Sequence, residues 1–151
     1  MRATVDTNIW VSAVISSLGP PARLEAAFRA GRFILVTSPP LLEEVTGVLL
    51  RPRLARRYGV TSERIADIID LMRDRAESVE VTGSIHVCRD ADDDAVLETA
   101  VLGNVDVVVS GDKDVLADPE AVRLLAEHGI EVWTVRQFVD WLEAEESGGA
   151  S

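Results

Sequence analysis

Val105-Asp106-Val107-Val108-Val109-Ser110-Gly111-Asp112-Lys113-Asp114 carries the plan of the whole chain in ten residues. Its valine-rich start is the strongest strand signal in the chain, because β-branched side chains suit a pleated surface. The run then breaks into serine, glycine and two aspartates, so carboxylates stand just past the end of a strand. The same design recurs upstream. Residues 2–6 (Arg-Ala-Thr-Val-Asp) read as a short first strand ending on Asp6. Phe33-Ile34-Leu35-Val36-Thr37 is an apolar run of the kind expected for a strand covered on both faces. Ile130-Glu131-Val132-Trp133 reads as a last strand, and Val79 to Val81 and Ile85 to Val87 as brief strand-like pieces.

Between these strands the apolar spacing switches to that of helices. Ile9, Val11, Val14 and Ile15 follow Thr7-Asn8, and Gly19-Pro20-Pro21 breaks that helix. Ala22 to Ala30 is a second, with Gly31 as its C-cap. Ser38-Pro39-Pro40 opens a third, since serine caps and proline suits a first turn; Leu41, Leu42, Val45, Val48 and Leu49 follow until Pro52 stops it. Thr61-Ser62-Glu63 opens another with Ile65, Ile68, Ile69 and Met72 inward, and helices are expected again over 121–127 and 135–143. Strands alternating with helices across short turns predict an α/β protein, a parallel sheet of about five strands with helices on both faces. One domain over 1–142 is expected, with 143–151 as a loose C-terminal tail.

Composition narrows the function. With 26 acidic and 15 basic residues the net charge is −11, which argues against broad nucleic-acid binding through a basic surface. It leaves room for a nucleic-acid enzyme whose metal ions screen a small acidic site. Lys113 is the only lysine, and the densest basic patch is Arg51, Arg53, Arg56 and Arg57, either a solvated helix end or a weak RNA-binding stripe. A single cysteine, Cys88, offers no disulfide framework and no thiolate metal site. Without an apolar run of membrane-spanning length or a signal-peptide pattern, a cytoplasmic protein is expected.

Cys88-Arg89-Asp90-Ala91-Asp92-Asp93-Asp94-Ala95-Val96-Leu97 places four carboxylates within five residues before a helical pattern. Capping explains one or two acids at a helix start; four in a row repel one another, and a bound cation would relieve them. In a parallel sheet the functional crevice lies beyond the carboxyl ends of the strands. Asp6, Asp112, Asp93 and either Glu43 or Glu44 all point there from separate segments. Each alone reads as a cap or turn residue; together they suggest a site for Mg²⁺ or Mn²⁺. Such sites perform phosphoryl transfer, one ion activating water and a second steadying the leaving oxygen. His86 and His128 have no nucleophile nearby and read as structural or surface residues, and Trp10, Trp133 and Trp141 as core or interface.

Val5-Asp6-Thr7-Asn8, Ser38 to Glu44, Asp90 to Asp94 with Leu97 and Ala100, and Val109 to Asp114 together resemble a PIN domain. More narrowly they resemble the PIN-family toxins of bacterial toxin–antitoxin systems, relatives of the VapC type. The resemblance covers Met1 to about Leu142. It implies a three-layer α/β/α fold and a metal-dependent endoribonuclease, often a homodimer, held inactive by an antitoxin protein. The family's acidic quartet falls on Asp6, Glu44, Asp93 and Asp112, with Asn8 and Ser110 as supporting polar groups. Glu44 is preferred to Glu43 because Val45 follows it; Asp92 or Asp94 shares the work of Asp93, and Asp114 is an outer ligand. Ser110 stands where many members have threonine. Two rivals stand beside this reading. One is a PIN-like subunit that mainly binds an antitoxin or RNA, its groove supplied by helices 41–49 and 61–72. The other is a phosphoacceptor receiver domain, disfavoured because Asp112 and Lys113 are adjacent rather than on separate strands.

Overall fold

The computed structural model describes residues 1–86, 91–111 and 118–149, with backbone only for 91, 92, 148 and 149. Five strands form one parallel sheet: β1 (Arg2–Val5), β2 (Ile34–Thr37), β3 (Glu77–Ser78), β4 (Val107–Val109) and β5 (Glu131–Trp133). Their spatial order is β3-β2-β1-β4-β5, so the first strand in the chain is the middle of the sheet. Ala3 pairs with Leu35 on one side and with Val107 on the other. Among the described residues eight helices surround the sheet: α1 (Thr7–Ile15), α2 (Pro20–Arg29), α3 (Pro39–Leu49), α4 (Pro52–Tyr58), α5 (Ser62–Arg75), α6 (Ala91–Leu102), α7 (Pro119–Glu127) and α8 (Val135–Gly149).

The strand alternation explains the three layers. Leu35, Val107 and Val109 join a core with Ile9 and Trp10 of α1, Phe28 of α2, Ile68 of α5 and Phe138 of α8. Val36 and Val108 point the other way, into a core with Leu97 and Ala100 of α6 and Leu125 of α7. Both faces are dry, as a parallel sheet requires. Trp10 stacks edge-on against Phe28 and is only 1% exposed, so it is a core residue, as its sequence suggests.

Three local expectations change. Pro52 ends α3 but also starts α4, since proline suits the first turn of a helix. The strand-like pieces at 79–81 and 85–86 are not strands; β3 is the pair just before them, and Val87 lies outside the described residues. The Val79 N–H donates to the Thr37 carbonyl and the Ile85 amide to Glu98, which also takes the amides of Thr82 and Ser84 in the turn between the two pieces. Finally, α8 does not stop at the expected residue 143 but runs to Gly149. Arg23 of α2 ties it down through Asp140 and Glu143, and Arg32 through Glu146.

Candidate metal centre

The carboxyl ends of β1, β2 and β4 form one edge, and the candidate side chains gather on the elements leaving it. Asp6 directly follows β1; its N–H donates to the Val109 carbonyl at 3.0 Å, which fixes it beside the end of β4. It occupies the N-cap of α1, yet its carboxylate does not cap the helix. Thr61 and Asp118 at the same position of α5 and α7 do, accepting from Arg64 N and from Glu120 and Ala121 N. Asp6 therefore presents an acid at a helix start without committing it to the helix. Next to it Thr7 is 2% exposed, and its Oγ1 has no hydrogen-bond partner among the described residues. A buried hydroxyl left in that condition costs about 1–3 kcal/mol, unusual enough to require a reason.

Ser110 ends β4, 1% exposed, with its N–H on the Trp133 carbonyl at 2.9 Å. Gly111 follows against Ile9 of α1, where a Cβ would lie 3.4 Å from Ile9 Cγ1. Asp112 and Asp114 lie outside the described residues, as do Asp90 and the Asp92 side chain. Asn8 is exposed on α1.

The third segment is α3, which packs against both α1 and α6, the helices that carry Asp6 and Asp93 near their starts. Glu44 is half-buried on it. Glu43 is exposed and lines a cavity of about 490 Å³ with Leu42, Met72 and Arg73, between α3, α5 and the ends of β2 and β3 at Thr37 and Ser78. The two glutamates thus differ in exposure, a distinction that sequence left open. On α6, Asp93 is half-buried and Asp94 is 9% exposed. Asp94 lines a second cavity of about 400 Å³ with Pro40, Val81, His86 and Glu98.

Two polar groups carry no signal in the sequence. Glu98, 4% exposed on α6, accepts from Thr82 N, Ser84 N (2.9 Å) and Ser84 Oγ (3.3 Å), and so straps the incoming segment to the helix. Burial alone would raise its pKa, but these donors and the Ile85 amide outweigh burial and hold it below the ordinary range. Thr99 Oγ1 lies 2.8 Å from Ser38 Oγ, joining α6 to the end of β2 through two fully buried hydroxyls. A glutamate and a threonine inside a helix pattern give no sign of such partners. Away from this edge, Glu25 is 6% exposed between Arg29 and Arg64, which also reach Asp67.

The candidate groups on these elements are all oxygen donors: the carboxylates of Asp6, Glu44 and Asp93, the buried Ser110 hydroxyl, and the Thr7 hydroxyl without a partner among the described residues. That donor set suits a hard divalent cation better than a soft one. Among the described residues no three acidic, histidine or cysteine side chains form a closed ligand group.

Comparison with known proteins agrees with this architecture. The family model for the PIN domain matches residues 2–114, from β1 through the segment after β4. An uncharacterized protein of Methanocaldococcus jannaschii, MJ1680, is 26% identical over 145 residues, covering 95% of this chain and 92% of the relative.

Proposed function

The chain belongs to the PIN-domain family, whose members are generally nucleases, and from that premise we propose that it is a metal-dependent endoribonuclease hydrolysing RNA phosphodiester bonds. The observation that carries the proposal is Asp6, an acid at a helix start that does not cap the helix, beside a buried hydroxyl with no partner among the described residues. Asp6, Glu44, Asp93 and Asp112 would hold Mg²⁺ or Mn²⁺, with Asp92, Asp94 and Asp114 as neighbours that support them. A cation bound there supplies activation of water and neutralises charge at the phosphate. The chain's own contribution is to fix the donors. Asp6 is set by the strand ladder, Glu44 by a helix wedged between α1 and α6, and Asp93 by a helix pinned through Glu98 and Thr99. Asn8 and Ser110 complete the polar rim. Rigid placement of this kind lets little reorganisation accompany the reaction.

The test is cleavage of a mixed RNA panel with and without Mg²⁺ or Mn²⁺, beside Asp6→Asn and Asp93→Asn. Loss of cutting by orders of magnitude in both variants is expected. Undiminished cutting by Asp6→Asn would sink the mechanism. Glu44→Gln is expected to lose far more activity than Glu43→Gln.

A second reading, in which the protein mainly binds a partner, draws on the cavity between α3 and α5. Its walls include Leu42, Met72 and Ala76, which suits an apolar segment of an antitoxin. We extend the proposal accordingly to a homodimeric toxin paired with an antitoxin protein. A tight complex with a small protein encoded beside the gene, without metal-dependent cleavage by either, would select the binding role alone.

A further inference from the structure

Two groups stand out among the arginines of this acidic chain. Arg2, Arg23, Arg29, Arg32 and Arg64 each reach a carboxylate of the chain. Arg51, Arg53, Arg56 and Arg57 are exposed, and among the described residues none of them forms an ion pair. With 26 acidic residues against 15 basic ones, a carboxylate is the neighbour most surface arginines should find. Exposed Arg73, Arg75, Arg123 and Arg136 also form no ion pair among the described residues, so what sets the four apart is that they stand together on one short segment.

The helix that carries them gains little from the fold. Helix α4 has seven residues and none is buried; Leu54 and the following Val60 rest on the core as its only anchors among the described residues. A helix this short is not stable alone. Arg53, Arg56 and Arg57 stand at three- and four-residue spacing, so they share a face and repel one another. Arg56 and Arg57 in the last turn suit the helix dipole, but the three guanidiniums still repel one another, and an anion from outside relieves that repulsion. Tyr58, 44% exposed, adds an aromatic surface with the Arg57 guanidinium 5.4 Å from its centroid. A charged row beside an aromatic face fits the phosphates and bases of single-stranded nucleic acid better than a carboxylate-rich protein surface.

We propose that Arg51, Arg53, Arg56, Arg57 and Tyr58 form a docking site for the RNA backbone, remote from the acidic edge and reached by the same strand. The inference rests on RNA being the substrate. Helix α3 links the two places: Glu44 lies seven residues before Arg51, about 10 Å at 1.5 Å per residue. That is about three nucleotides at the rise of a stacked strand. The docking site therefore selects for length, holding RNAs that extend past the scissile bond and missing shorter ones.

The experiment measures binding of a labelled, unstructured RNA and of a dinucleotide in EDTA, over a salt series, for the intact chain and for Arg53→Gln/Arg56→Gln/Arg57→Gln. The dinucleotide, too short to reach both places, should bind the two proteins alike; a difference as large as for the long RNA would deny the selection for length. Three phosphate contacts contribute about 2 to the single-strand salt slope, so between 50 and 200 mM salt the intact chain should lose about 20-fold more affinity than the variant. The corresponding triple lysine variant should recover the slope. Equal slopes and affinities for the intact chain and the glutamine variant would overturn the docking site. So would unchanged RNA binding with loss of an acidic peptide, which assigns the patch to a protein partner. Cleavage with Mg²⁺ is scored separately. A lowered slope without any Asp6-dependent cutting keeps the docking site and removes the nuclease; Asp6-dependent cutting with an unmoved slope does the reverse.

Discussion

Replacing Glu98 with glutamine isolates one buried strap. Both carboxylate oxygens are used: Oε2 accepts from Thr82 N and Oε1 from Ser84 N and Oγ. The amide of glutamine keeps one acceptor and turns an NH₂ toward a backbone N–H, so one bond is lost and two donors confront each other. A hydrogen bond to a charged group contributes about 1.5–3 kcal/mol, and exposed Thr82 and Ser84 recover part of that from water. A net loss of about 2 kcal/mol follows, or a Tm lower by about 4–8 °C for a chain of this size. The loss depends on pH. Glu98 is held below its ordinary pKa, because the amide donors outweigh burial. Its contribution is complete above the unfolded value of about 4.3 and fades as pH falls through the lower folded value. The intact chain and Glu98→Gln should differ at pH 7 and converge as the pH falls through the lowered folded value of Glu98. Urea denaturation at several pH values measures this, with amide exchange at Thr82 and Ser84 as the local readout. Equal stability at pH 7, or a gap that survives in acid, would refute the strap.

Other consequences are equally open to measurement. A Cβ at Gly103 would lie 2.3 Å from Val36 Cγ1, so Gly103→Ala should destabilise by about 1–3 kcal/mol; adding Val36→Ala should relieve part of that, whereas strict additivity would deny the clash. Gly47 sits inside α3 with nothing within 4 Å of the place a Cβ would take, so Gly47→Ala should raise stability to urea by about 0.5–1 kcal/mol. A lower urea midpoint would show a constraint at that helix position. Glu25→Ala should cost about 1–3 kcal/mol by leaving two arginines facing each other, against under about 1 kcal/mol for the exposed Asp67→Ala; similar losses would deny that burial matters there.

The fold was largely legible because its signals are local. Valine runs, Ser38-Pro39-Pro40 and Thr61-Ser62-Glu63 mark strand and helix without reference to distant residues, and the five-stranded parallel sheet follows from their alternation. What escaped depends on partners far along the chain. Strand β3 is only Glu77-Ser78, two polar residues made into a strand by pairing with Val36 and Thr37. Pro52 carries two meanings at once, and only packing of Leu54 on the core reveals the second. Of the candidate site, sequence singled out Asp6, the acids at the start of α6 and the end of β4 as candidates, and left Glu43 as an alternative to Glu44 until the fold put Glu43 on the cavity beside α5. The straps at Glu98 and Thr99 were invisible, since a polar residue within a helix pattern reads as solvated.

The placement of β1 at the centre of the sheet has a consequence for synthesis. Arg2 meets Asp106, 104 positions later, so one side of the first strand stays unpaired until β4 has been made. At about 5–20 residues per second that interval is about 5–20 s, with an apolar strand edge open to any other nascent chain. The acidic edge cannot exist in a half-made molecule either, because its floor closes only when Val107 to Val109 slide in beside Ala3 to Val5.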